Sequence, residues 1–262
     1  MRKIWVLVRK EWAEVFKNRF VLFSVSFLPL LFTALPLGIL YASRTDGAGT
    51  AAITDLPPEF APLCTGMGGN ECMQYFIVTQ FMLLFMMVPM IVPITFASYS
   101  IVGEKSTRTL EPLLATPITT MELLLGKALA AILPALAATW LSFLIYAAGT
   151  LVLVDSPIVT AKLFDALWLT AIFVVGPLLA VASVSIAVMI SSRVTDPRVA
   201  EQIAGVFVLP IIGLFVGQTA GLIFINERVI LWMALGLAVL DAMLIAFAAQ
   251  LFQRETILTR WK

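Results

Sequence analysis

Six long apolar stretches, separated by shorter polar segments, dominate the pattern of this chain. They cover residues 20–42, 75–97, 128–154, 166–190, 203–225 and 229–252. A hydrocarbon core about 30 Å thick is crossed by roughly 20 residues of α-helix, so each stretch is long enough to span a membrane. The pattern therefore predicts an all-α integral membrane protein with six transmembrane helices.

Composition and charge support this prediction and orient the chain. Of its 262 residues, 61% are hydrophobic and 13% are charged, whereas soluble domains are about 45–50% apolar and about 25% charged. An even number of spans places both termini on one side. That side holds 14 of the 17 Lys and Arg residues, and the other side holds only Arg44, Lys162 and Arg228. Because basic residues favour the cytoplasm, we expect a plasma-membrane protein with both termini, including a tail at 253–262, inside the cell.

Residues 1–19 have the pattern of an amphipathic helix. One arc of about 120° holds the apolar side chains and leaves the bases outside it, although Val6 and Leu7 break the pattern. The arc consists of Ile4, Trp5, Val8, Trp12, Val15 and Phe16. We expect a helix in the headgroup region with its bases near anionic lipid; the alternative is a basic flank that only orients the first span. That span is longer than the roughly 7–15 apolar residues of a signal-peptide core, so we expect it to stay uncleaved.

Two cysteines lie in the predicted extracellular segment 43–73. Cys64 and Cys72 are separated by seven residues, and no other cysteine occurs. On an oxidising face two nearby cysteines favour a disulfide, so we expect one here, with two free thiols as the alternative.

Inside the spans, a few residues need an explanation. Asp241 is the only ionisable residue deep in any span, and it either lines a substrate or ion path or ties two helices together. Gly213, Gly217 and Gly221 recur every four residues in the fifth span, which lets another helix approach closely. They indicate internal packing, a subunit contact, or a break at which the chain re-enters the outer leaflet.

Several kinds of chemistry are absent from the sequence. The chain has no histidine and no G-x-x-x-x-G-K-[ST] phosphate-binding loop, so it lacks a Walker-type nucleotide site. It has no G-x-S-x-G nucleophile elbow either. No block of like charges points to nucleic acid. We therefore expect no catalytic residue, metal site or cofactor on this chain.

The polar segment 103–127, between the second and third spans, is the most informative part of the sequence. Its charges exclude it from hydrocarbon, so we expect it to lie in water. Thr109 is a plausible N-cap for a short helix that Pro117 ends near Thr116. Thr119 and Glu122 have the spacing of a capping box that begins the helix of the third span. A short capped helix, a turn and a new helix are thus predicted.

This segment resembles the signature of type-2 ABC transporter permeases, which reads E-[KR]-E-x-x-T-L-E-x-L-L-x-T-P-[IV]-[ST]-x-x-E-[LI]-x-x-G-K. Fifteen positions match; Ser106 departs, where a second acid is common. The matching residues are Glu104, Lys105, Thr109, Leu110, Glu111, Leu113, Leu114, Thr116, Pro117, Ile118, Thr119, Glu122, Leu123, Gly126 and Lys127. The closing segment 252–261 is also similar to that of the family.

The resemblance implies a membrane subunit that dimerises, with itself or with a similar permease, and binds two copies of a separate ATPase. ATP and Mg would be held by that partner, and export is the usual direction. The segment around 109–117 would act as a coupling helix. The implied coupling residues are Glu104, Thr109, Leu110, Glu111, Leu113, Leu114, Thr116 and Pro117. The alternatives are a secondary transporter that uses Asp241 as an ion or proton relay, and a membrane anchor without transport.

Overall fold

The computed structural model describes residues 2–45, 64–106 and 118–251. Within these ranges the chain is helical, without a β-strand. The α-helices in chain order are α1 (Arg2–Val15), α2 (Arg19–Thr45), α3 (Gly69–Phe85), α4 (Val88–Ser106), α5 (Thr120–Leu153), α6 (Pro157–Leu163), α7 (Ala166–Thr170), α8 (Gly176–Ser191), α9 (Pro197–Gly205), α10 (Leu209–Thr219) and α11 (Glu227–Leu251).

Six helical stretches are long and apolar enough to cross a membrane, which confirms the predicted fold class. They are Val21–Arg44, Gly69–Glu104, Met121–Leu153, Pro157–Ser191, Pro197–Thr219 and Glu227–Ala248. The second and fourth are longer than their apolar cores, because Gly69–Glu104 combines α3 with α4, and Pro157–Ser191 combines α6, α7 and α8 with the residues that join them.

Prolines mark the interruptions within these spans. The second span breaks between α3 and α4, and α4 begins with Val88 directly before Pro89. Proline lacks the amide hydrogen that a continuous helix would need. In the fourth span a π-helical segment, Ala171–Val175, joins α7 to α8 just before Pro177. The break in the second span thus lies on the N-terminal side of Pro89, whereas Pro93 lies within α4.

The fifth span ends earlier than its hydrophobicity suggests. α10 stops at Thr219, and Gly221 follows with φ of 70°. The Leu222 amide donates to the Gly217 carbonyl at 2.8 Å, and the Gly221 amide donates to the Gln218 carbonyl at 3.0 Å. These two bonds form a Schellman C-cap, which requires the left-handed glycine. Gly221 therefore ends the helix, and the predicted glycine stripe is limited to Gly213 and Gly217.

The second and fourth spans form the centre of the bundle. α4 packs extensively on α8, and both spans are mostly buried. The first, fifth and sixth spans are mostly exposed and surround this pair. Large fully buried side chains such as Trp168, Tyr146 and Phe85 fill the interior. The outer spans offer mainly apolar surface, as expected for helices that face lipid.

Candidate functional site

The two ends of the polar segment 103–127 meet inside the protein. Glu104 lies near the end of α4 and Lys127 lies two turns into α5. The Lys127 Nζ is 2.8 Å from the Glu104 Oε2, and the two residues are only 6% and 5% exposed. The expectation that the whole segment lies in water is therefore wrong for these two charges. They avoid hydrocarbon by pairing in the interior of the protein.

The N-terminal helix supplies a second buried carboxylate to this pair. Glu11 of α1 is 2% exposed, and its Oε1 accepts a hydrogen bond from the Lys127 Nζ at 2.9 Å. Lys127 also donates to the Ser100 Oγ at 2.8 Å, and Ser100 in turn donates to the other oxygen of Glu11. One ammonium thus connects α1, the end of the second span and the start of the third.

Lys10 of α1 is a second base beside the buried carboxylates. Its ammonium pairs with Glu104 and lies 3.7 Å from Glu11 and 3.6 Å from Glu14. Its side chain is about one third exposed, so it connects the buried groups to solvent. We call Lys10, Glu11, Ser100, Glu104 and Lys127 the charge cluster; Glu14 lies at its edge.

The electrostatics of the cluster follow from burial opposed by nearby charge. Burial alone would raise the pKa of Glu11, but Lys127, Ser100 and Lys10 outweigh it and lower the pKa below the ordinary value. Burial would lower the pKa of Lys10, but its hydrogen bond to Glu104 and the surrounding carboxylates raise it. Both groups are therefore held in their charged forms at neutral pH.

Close packing of α1 against α5 positions Glu11. A Cβ atom on Gly126 would lie 2.9 Å from the Leu7 Cβ, so only glycine permits this approach. One turn further along α5, the Ala130 carbonyl accepts a hydrogen bond of 2.9 Å from the Trp12 Nε1. Leu7 and Glu11 are one turn apart on α1, which places the carboxylate opposite Lys127.

The orientation of α1 differs in part from the sequence expectation. Leu7, which breaks the predicted apolar arc, is buried at 3% exposure, whereas Trp5 and Phe16, which belong to the arc, are 53% and 44% exposed. The buried face is set by contact with the bundle, and it includes the carboxylate of Glu11. At the surface, the Trp5 ring contacts the Trp12 ring, and the Phe16 ring contacts the buried Phe96 ring.

The capping box at the start of α5 is confirmed. The Thr119 Oγ1 accepts from the Glu122 amide at 3.2 Å, and the Glu122 carboxylate accepts from the Thr119 amide at 2.9 Å. The cap fixes where the third span begins, two turns before Lys127. Most of the predicted coupling residues lie outside the described residues, namely Thr109, Leu110, Glu111, Leu113, Leu114, Thr116 and Pro117.

A cavity of about 400 Å³ opens beside the charge cluster, between α1 and α4. Glu11, Glu14 and Glu104 line it together with Tyr99 and Ser100. Within the described part of the chain, no group of three histidine, cysteine or acidic side chains is arranged to hold a metal ion. The cavity leaves space next to the cluster in which its side chains can rearrange.

The remaining predicted residues lie away from the cluster. Cys64 and Cys72 form a disulfide with Cα atoms 5.3 Å apart, next to the start of α3. Asp241 is 5% exposed on α11. On α10, a Cβ on Gly213 would meet no atom within 4 Å, while one on Gly217 would meet the Ile223 side chain at 3.0 Å. Gly213 therefore faces open space, and Gly217 packs against the turn that follows it.

Sequence reasoning did not find Lys10, Glu11 or Ser100. A signal for Glu11 was present, because it lies four positions after Leu7 and four before Val15, in register with apolar residues on the wheel. An acid on the apolar face of an amphipathic helix needs a buried partner. The sequence alone does not show which base that partner is.

Comparison with known proteins adds a family to this geometry. Residues 5–228 match the sequence profile of the family described as ABC-2 family transporter protein. The match begins within α1 and includes the first five spans and every member of the charge cluster. No curated protein matches the chain.

Proposed function

Because the chain belongs to the ABC-2 transporter family, a family of membrane transport subunits, we propose that it is the permease subunit of an ATP-driven exporter. In this proposal it dimerises, with itself or with a similar chain, and binds two copies of a separate ATPase. ATP and Mg bind to those partners. The permease contributes the membrane path and takes no part in ATP hydrolysis.

The family match carries the proposal, and the charge cluster supports it. An ATPase that pushes on the cytoplasmic segment can move the spans only if the segment is firmly attached to them. The pair of Glu104 and Lys127 joins the two ends of that segment at 2.8 Å. The capped start of α5 and the buried contact of Glu11 stiffen the same region. Closure of the ATPases would then tilt the second and third spans together.

The N-terminal helix belongs to the same coupling unit in this proposal. α1 is fastened to α5 by the close approach of Leu7 to Gly126 and by the Trp12 hydrogen bond. The exposed Trp5 of α1, and Phe16 directly after its end, suit the membrane interface. Motion of the third span would therefore carry α1 with it along the bilayer surface.

Co-purification of the full-length chain from its native membranes tests the proposal. We expect an ATP-binding subunit to be recovered, and we expect Glu111→Lys or Leu114→Asp to weaken its recovery. Asp155→Lys is the matched control, since it makes the same kind of charge reversal at an exposed residue on the predicted extracellular side. Correct membrane insertion of each variant is checked by protease protection.

Reconstitution distinguishes the export proposal from its alternatives. Recovery of no nucleotide-binding partner, together with flux that persists without ATP and collapses with an ion gradient, would contradict the proposal. That result would favour the secondary transporter with Asp241 as relay. Absence of flux with and without ATP, again with no partner, would favour a membrane anchor.

A further inference from the structure

A narrow crevice lies between the third, fourth and sixth spans, on the half of the bundle that holds the start of α5. Its volume is about 80 Å³. Its walls are almost entirely apolar and include Leu125, Ala128, Val184, Val188, Ile245 and Ala248. The one hydroxyl among its lining residues belongs to Ser185, which donates to the Val181 carbonyl of its own helix at 2.8 Å. The crevice is therefore apolar, with room for a short hydrocarbon segment.

Asp241 lies on the same helix as one wall of this crevice. It is 5% exposed, and neither carboxyl oxygen has a hydrogen-bond partner among the residues that the structure describes. The described ion pairs do not include it. A buried carboxylate without a partner is costly within a membrane, so its presence needs a reason that packing alone does not supply.

The spacing on α11 relates the two features. Asp241 precedes Ile245 by four residues and Ala248 by seven, so all three share one face of the helix. With a rise of 1.5 Å per residue, the backbone of Asp241 lies roughly 6 Å and roughly 10 Å from the levels of these two residues. Asp241 is not one of the residues that line the crevice; it lies on the same helix face, one turn from Ile245 and deeper in the bilayer.

We propose that the crevice and Asp241 together form a binding site for a cargo that carries one positive charge on an apolar body. One end of the apolar body lies in the crevice, and the cationic group pairs with Asp241. This inference rests on the proposed export function and names the cargo class for it.

Charge complementarity selects this occupant. Opposite charges attract strongly where little water screens them, and an organic cation would supply the partner that Asp241 lacks. An anionic cargo would be repelled by the Asp241 carboxylate, and no base lines the crevice. Lys127, which directly precedes the crevice residue Ala128 in the sequence, is already paired with Glu11 and Glu104 in the charge cluster. A neutral hydrocarbon would enter the crevice but leave Asp241 unpaired.

Binding of octyltrimethylammonium to the full-length chain in zwitterionic nanodiscs tests the proposal, with empty nanodiscs subtracted. We expect saturable binding, weakened at least about tenfold by Asp241→Asn. Glu227→Gln is the matched control, because it removes an exposed acid from the start of the same helix and should leave the affinity unchanged. Octyl sulfate, with the same chain and the opposite charge, should compete poorly.

A second variant tests the crevice separately from the charge. Ala128→Phe fills the crevice and should weaken binding of octyltrimethylammonium while Asp241 stays in place. Thermal unfolding of each variant establishes that it is folded. If Asp241→Asn does not fold, Asp241→Glu should retain binding and Ala128→Phe should lose it. Unchanged affinity in a folded Asp241→Asn or Ala128→Phe variant, or equal binding of octyl sulfate, would overturn the proposal.

The outcome is separable from that of the export proposal. The binding measurement needs no ATPase, so absence of cation binding in a chain that does co-purify with an ATPase would refute the cargo site alone. Cation binding in a chain that recovers no such partner would instead refute the export function and retain the site.

Discussion

Removal of the ammonium of Lys127 should destabilise the protein more than any other single charge change. Lys127→Met leaves two carboxylates, Glu11 and Glu104, each no more than 5% exposed, with only the partly exposed Lys10 to neutralise them. It also removes contacts of 2.8–2.9 Å to Glu11, Glu104 and Ser100. Breaking a buried pair by removing one partner costs about 3–5 kcal/mol. That is a large part of a typical total stability of about 5–15 kcal/mol.

The same loss can be partly reversed by a second substitution. In the double variant Glu11→Gln with Lys127→Met, Lys10 remains paired with Glu104 and no carboxylate of the charge cluster lacks a base. We expect the double variant to be more stable than Lys127→Met alone, with a coupling energy of about 0.5–3 kcal/mol. Simple addition of the two losses would mean that the groups act independently.

Unfolding in mixed micelles by increasing SDS, followed by circular dichroism, measures these differences. Lys162→Met is the matched control, because Lys162 pairs with Asp165 at 2.7 Å but both side chains are at least one quarter exposed. Pairs of that kind contribute about 0–1 kcal/mol. If Lys127→Met lowers the free energy of unfolding by no more than Lys162→Met does, the cluster is not a buried electrostatic unit and the reasoning fails.

Three further outcomes follow from the contacts around the cluster. Because the pKa of Glu11 is lowered on folding, its stabilising contribution is complete above the ordinary value of 4.5 and is lost as pH falls through the lowered value. In the same unfolding assay, the difference in stability between wild type and Glu11→Gln should therefore stay constant from neutral pH to about pH 5. A decrease of this difference near pH 7 would contradict the argument. Gly126→Ala should destabilise the protein, since overpacking against Leu7 costs about 1–3 kcal/mol and the gain in helix propensity is only about 1 kcal/mol. Gly236→Ala is the control and should be neutral or stabilising, because a Cβ atom there would lie in open space. Equal changes in stability for the two variants would refute the close approach of Leu7 to Gly126. Thr119→Ala should cost about 0.5–2 kcal/mol through loss of the cap, Thr119→Ser should restore it, and equal stability of the two variants would argue against the capping box.

Features that depend only on residues close together in the chain could be predicted from the sequence. Each span requires only a long apolar run, and the capping box requires only Thr119 and Glu122 at the right spacing. The predicted ends of the spans were less accurate where a helix continues through polar residues, or where a change in backbone conformation ends the helix early. The left-handed Gly221 is such an end, because the sequence there reads as apolar and favourable for a longer helix.

The charge cluster could not be predicted in the same way, because its members are distant in the chain. Lys127 lies 116 positions from Glu11, and Glu104 lies 94 positions from Lys10. Reasoning from the cost of charge in hydrocarbon placed Glu104 and Lys127 in water. Burial in a paired state is the other way to avoid that cost, and only the packing of α1 and α4 on α5 distinguishes the two.

The buried position of the cluster bears on how force would pass through it. An exposed pair exchanges partners with water at little cost, so under the proposed coupling it would yield when an ATPase pushes on the segment between the second and third spans. Separation of Glu104 from Lys127 would instead break a buried contact of 2.8 Å and leave Glu104 with only the partly exposed Lys10, so it is more favourable for the second and third spans to move as one body. Rearrangement remains possible on one side, because the cavity beside Glu11 and Glu104 gives the partly exposed Lys10 room to change partners. Under the proposed coupling, removing the pair while keeping the fold, as in the double variant, should therefore lower transport for each ATP that the partner hydrolyses while leaving ATPase binding unchanged.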